Sequence, residues 1–241
     1  MHEDRSATSE LEEKEHPSAG RERYDPRPLG LALAIYLIAQ AGVLFFAVSP
    51  GADSSRFIAF AERLRSEAFF DVLRSEEDHP GYPLFLYGIF SVARWMGIDS
   101  ASHLLLLAEL ASVAAGTLIL ILIHRTLASL SGPRAAAAAT FSLALLPRPL
   151  WIFADVLSDP LHALFWVAGA CAALVGLRDC RVRPFVVAGL FGALAYAIRP
   201  EALTLLATIL CALVMVALHP ESRRAWGMGR LVSAGGAVAG L

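Results

Sequence analysis

The chain has 241 residues, 56% of them hydrophobic, and a net charge of −2; its mean hydropathy is +0.58. That balance offers no basic surface for a nucleic-acid partner, and it rules out a water-soluble domain, because several apolar runs approach the ~20 residues that cross a ~30 Å hydrocarbon core. The three cysteines (Cys171, Cys180 and Cys211) stand at no metal or redox spacing and define no disulfide framework.

Residues 1–28 are polar and rich in Glu, Arg and Pro, which predicts a disordered tail. The first apolar run, 29–49, is too long for a cleavable signal peptide and lacks a small-residue exit, so it reads as an uncleaved signal anchor. A loop follows over 50–82. Within it Phe57, Phe60, Ala61, Leu64 and Ala68 recur at helical spacing, with Arg56, Arg63 and Glu67 on another face. That pattern predicts an amphipathic helix suited to the headgroup region. Three acids, Glu76, Glu77 and Asp78, then run into His79-Pro80-Gly81-Tyr82-Pro83.

Run 83–98 is short, ~24 Å as a helix, and carries Arg94, so an interfacial or re-entrant helix is expected. Further apolar runs cover 103–123, 135–153, 160–177, 185–198 and 202–218, and a last one opens at Leu231. Cut at Leu241, that last run would cover only ~16 Å. Residues 29–241 are therefore expected to be the N-terminal part of a membrane domain truncated at its C-terminus. The fold class is all-α, a polytopic transmembrane bundle with a helical juxtamembrane first loop.

Arginines orient the runs by the positive-inside tendency. Arg21, Arg23 and Arg27 place the N-terminus in the cytoplasm, in a multi-pass protein of the inner (plasma) membrane. Segments His124–Arg134, Arg178–Arg183 and Pro220–Arg230 are basic, whereas 50–80 is net acidic and 154–159 carries Asp155 and Asp159 without a base. If run 83–98 does not cross, every basic loop falls inside. The acidic loop, "ADVLSDP" and "RPE" (199–201) then share the outer face.

Several residues on that face could carry chemistry. Asp53 immediately precedes the amphipathic helix, where a carboxylate serves either as an N-cap or as a general base held at the surface. The acids 76–78 read most simply as a solvated turn. Asp155, Asp159 and His162 have i, i+4, i+7 spacing, but Pro160 predicts a helix start there, with Ser158 or Asp159 as its cap. No metal site is assigned to them: a divalent ion is possible there but not expected, and no cofactor is implied. Arg199 and Glu201 flank Pro200 between two apolar runs, as a topological stop or as a guanidinium fork for phosphate.

These segments in this order ("SSRFIAFAERL", "HPGYPLFLYGIF", "SDPLHALFW" and "VAGLFGALAYAIRPEAL") resemble the GT-C superfamily of integral-membrane glycosyltransferases. The likeness covers about residues 29–218. It is greatest to bacterial relatives of the dolichyl-phosphate-mannose-protein mannosyltransferases and the aminoarabinose transferases. The resemblance implies a sugar transferase with a polyprenyl-phosphate sugar donor and a protein, lipid or glycan acceptor, acting at the extracytoplasmic face. Asp53 matches the family's first-loop acidic residue, taken as catalytic base. His79-Pro80 matches the loop motif near the donor, and Arg199 with Glu201 the polar turn after the sixth run. Asp155 and Asp159 join His79, Arg199 and Glu201 as candidate substrate-binding residues. The rival readings are a polytopic transporter subunit, with charges at the bilayer midplane on broken helices, and an inactive or truncated transferase fragment.

Overall fold

In a computed structural model the described residues are 26–46, 52–75 and 79–240. The expected tail lies almost wholly outside them, as do the acids Glu76, Glu77 and Asp78. Every regular element among the described residues is helical. In chain order these are α1 (Arg27–Phe46), α2 (Ala52–Ser66), α3 (Phe69–Ser75), α4 (Gly81–Trp95), α5 (Ala101–Ser131) and α6 (Pro133–Leu145). After them come α7 (Pro147–Ile152), α8 (Ser158–Asp179), α9 (Arg183–Ile198), a 3₁₀ turn (Pro200–Ala202), α10 (Leu203–Leu218), α11 (Pro220–Trp226) and α12 (Met228–Ala239).

Among the described residues four segments are long and apolar enough to cross a membrane: α1, α5, α8 and the stretch Pro200–Leu218. Their outward faces are apolar too. Ile38, Phe45, Met215 and Leu218 are each more than two-thirds exposed, a surface that water would penalise and hydrocarbon accepts. The protein is therefore an all-helical membrane protein.

The helix junctions follow from local chemistry. The Ser100 side chain accepts the His103 N–H to open α5. Gly132 (φ 88°) reverses the chain into Pro133, so α5 and α6 form a hairpin. Across it His124 Nδ1 meets Thr140 Oγ1 at 3.0 Å. The Thr140 hydroxyl already donates to the Ala136 carbonyl at 2.7 Å, so the imidazole is the donor in that pair. Apolar run 135–153 is not one helix. Leu146 is extended, with Pro147 behind it, and the run divides into α6 and α7.

Two further readings change. The apolar face of α2 does not lie free for lipid: Phe60 and Leu64 are buried with Val72 and beside Leu84 and Tyr87, while Ala61 joins Tyr82, Leu86 and Phe90. The amphipathic pattern thus records a helix packed on α4, and Arg94 of α4 pairs with Glu62 of α2. Nor do Ser158 and Asp159 cap α8; its N-cap is Leu157, which makes no side-chain capping bond.

Helices α8 and α9 form an antiparallel pair in very close contact. A side chain at Gly176 would come within 2.6 Å of the Phe185 ring, and one at Gly169 within 3.2 Å of the Ala188 carbonyl. This pair sets two ends of the molecule apart. At one end Arg178 donates to the Ser129 carbonyl at 3.0 Å, drawing the basic turns at the ends of α5 and α8 together. At the other, the core joins Leu104 and Ala108 of α5 to Val156, Leu161, Ile198 and helix α4.

Candidate functional site

The polar residues of the second end surround a cavity of about 280 Å³, lined by Asp53, Arg56 and Phe57 from α2, His79, the start of α8, and the turn after α9. Each wall has a local cause. Asp53 sits in the first turn of α2 rather than at its cap, where the free N–H groups favour a negative charge. It is exposed, and its Oδ1 lies 4.0 Å from Arg56. Ser54, the next residue, is fully buried and donates its hydroxyl to Asp155 Oδ1 at 2.7 Å. The Val156 N–H donates to the same oxygen at 2.7 Å. Asp155 is thus a tether between the α7–α8 turn and the start of α2, and it stands behind the cavity wall.

Arg199 follows α9 in extended conformation (φ −151°, ψ 135°), because Pro200 restricts the residue before it. Its guanidinium pairs with Asp159 and faces Glu201 through two near-parallel contacts of 3.3 and 3.4 Å. His79 sets its ring edge against Tyr196, 5.7 Å between centroids. Gly81 lets the start of α4 lie directly on the Ala197 carbonyl, with no room for a Cβ. Beneath the cavity, Phe57 meets Tyr82 edge-on at 5.1 Å, and the Arg56 guanidinium lies 5.6 Å from the Phe57 ring centre. Burial, with Asp155 nearby, pushes the Tyr82 phenol well above its ordinary range, so it stays neutral. The nearby Ser112 hydroxyl opposes that shift without cancelling it.

Asp53, His79, Asp159, Arg199 and Glu201 therefore line one cavity, and Asp155 braces it from behind. His162 goes elsewhere: its Nδ1–H donates to the Ala195 carbonyl at 3.3 Å. Asp155, Asp159 and His162 thus point to three different partners, and no group of three metal-ligating side chains occurs among the described residues. Sequence reasoning missed Arg56 as part of this wall, and Ser54 and Tyr196 as residues that hold Asp155 and His79. Ser54 and Asp155 are 101 positions apart, and nothing local in either segment announces the pairing.

Chemically, the cavity holds three carboxylates, two guanidinium groups and an imidazole at one end of an apolar bundle. An exposed carboxylate without a tight partner can take a proton, and a fork-shaped cation can hold an oxyanion. No protein-family model matches the chain, and no curated protein is significantly similar to it.

Proposed function

We propose that this protein is a membrane glycosyltransferase that moves a sugar from a polyprenyl-phosphate donor to an acceptor at the extracytoplasmic face, with Asp53 as general base. The observation that carries the reading is the convergence of Asp53 and Arg199 on one polar cavity at one end of a membrane bundle. A lipid phosphate is already a good leaving group. The protein needs chiefly a base for the acceptor hydroxyl and a cation for the departing phosphate.

In the proposed step the acceptor oxygen bonds to the anomeric carbon as the carbon–oxygen bond to the lipid phosphate breaks. The acceptor proton passes to Asp53, and the polyprenyl phosphate leaves with the electron pair. A single displacement inverts the anomeric centre. Arg199 receives the phosphate by exchanging Glu201, its more exposed partner, while Asp159 keeps the guanidinium aimed. His79, at the cavity edge, borders the donor. The protein sits in the inner (plasma) membrane with its N-terminus in the cytoplasm, which is the orientation that the arginine distribution favours.

The test is Asp53→Asn with a polyprenyl-phosphate sugar as substrate. The amide keeps the size and the helix-start preference but cannot accept a proton. Transfer should fall by at least about 100-fold, with protein yield unchanged. Near-normal turnover would remove Asp53 from the chemistry.

A further inference from the structure

We propose a second lipid site at the opposite end of the molecule: a groove for one acyl chain of an anionic phospholipid, with its phosphate held by Arg181, Arg183 and Arg230. The inference does not depend on the transferase reading.

Between α5, α8 and α9 runs an open groove of about 670 Å³. Its walls are almost purely apolar, from Leu118 and Phe191 at one end to Val175 and Val187 towards the other, where Arg183 closes it. A second hollow also borders Arg183. It is lined by polar and apolar atoms alike, holds about 480 Å³, and brings Arg181 and Arg183 together with Arg230 of α12. The two hollows share Arg183, so the apolar slot and the basic notch are neighbours.

Length and charge identify the occupant. Along α8 the slot runs from Leu164 to Val175, about 16 Å of helix. One leaflet contributes about half of a ~30 Å hydrocarbon core, so the slot matches a single leaflet. In the notch Asp179 is engaged by Arg178 at 2.7 Å, and the Arg181 charge also acts on it. Among the described residues no carboxylate lies within ion-pair distance of the Arg181, Arg183 or Arg230 side chains. A chain of leaflet length that ends in a negative headgroup satisfies both hollows. A zwitterionic lipid brings the same phosphate but sets its ammonium against three arginines, and a free phosphate fills only the notch.

The experiment is native mass spectrometry of the whole protein released from nanodiscs of equimolar phosphatidylglycerol and phosphatidylcholine. Phosphatidylglycerol should be retained about tenfold over phosphatidylcholine, on the scale of a few phosphate–arginine contacts at a membrane surface. Replacing all three arginines with Gln should reduce that preference to near parity. Val187→Trp, which fills the slot from an exposed wall position and leaves the arginines in place, should lower retention of both lipids. Helical content by circular dichroism should stay unchanged in both variants. Excess glycerol 3-phosphate should displace little phosphatidylglycerol; full displacement would make the site a phosphate site and overturn the lipid assignment. Equal retention of the two lipids by the wild type, or an undiminished preference in the triple variant, would overturn the proposal as well.

Discussion

Ser54 and Asp155 show how a single hydrogen bond can fix a cavity wall. The bond joins a buried hydroxyl to a carboxylate oxygen that also receives a backbone N–H. Bonds to charged acceptors contribute about 1.5–3 kcal/mol. Ser54→Ala should therefore lower stability by about that amount, read as a fall in Tm in detergent micelles, and should slow transfer by displacing Asp53. Arg199 gives a graded test. Lysine keeps the charge but not the fork, so Arg199→Lys should weaken donor use moderately and Arg199→Gln severely. The loss should appear in kcat/KM for the lipid donor, with acceptor KM little changed. Wild-type donor binding by folded Arg199→Gln protein would end the phosphate role. The residue types at this site were legible in the sequence because charges between apolar runs stand out. The partners were not: Tyr196 and Ser54 look like ordinary helix residues until the fold carries them across more than a hundred positions.

Among the elements, the tightened end of α7 has a consequence in α1. The Ala154 N–H bonds to the Trp151 carbonyl, which deprives the Leu150 carbonyl of its helical donor. Gln40, buried in the apolar helix α1, supplies the missing bond through Nε2 at 3.1 Å. An unpaired carbonyl at membrane depth is costly, so Gln40→Leu should destabilise the protein by about 1–3 kcal/mol despite making α1 more apolar. A variant as stable as wild type in a detergent melt would contradict this account. Gly81 is a second such point. Its Cα lies against the Ala197 backbone, which cannot yield as a side chain could. Gly81→Ala should therefore shift α4, displace His79 from Tyr196, and cost about 1–3 kcal/mol in Tm-derived stability. Helix positions were readable from hydrophobic runs. Partnerships were not, since the apolar stripe of α2 looks the same whether it meets lipid or α4. Pro147 was visible, but in an apolar stretch a proline can kink a helix or divide it, and only packing decides.

At the scale of the whole molecule, charge is segregated along the axis of α8. Its N-terminal end meets Asp53, Arg199 and Glu201, and its C-terminal end meets the arginine-rich turns. That separation was legible from loop composition alone, because the positive-inside tendency acts on sequence-local charge. Cysteine placed at Ser102 or Ser131, the two exposed ends of α5, reads out the orientation once Cys171, Cys180 and Cys211 are replaced. An impermeant maleimide should label position 102 in intact cells and position 131 only after permeabilisation; the reverse pattern would invert the proposed topology.

Helix α5 also acts as a measuring rod. It has 31 residues, about 46 Å, against a ~30 Å hydrocarbon core. Ala108, which shares a core with the cavity's neighbours Leu161 and Ile198, stands about 35 Å along it from Ser131. If Ser131 marks one lipid boundary, the level of Ala108, which shares a core with Ile198 of the cavity lining, clears the other by only about 5 Å. A bilayer a few ångströms thicker would bring the hydrocarbon up to that level or force α5 to tilt. Transfer in vesicles of increasing acyl length should therefore hold steady and then drop once the hydrocarbon thickness exceeds that clearance. Bilayer thickness would then gate access to the site with no ligand involved.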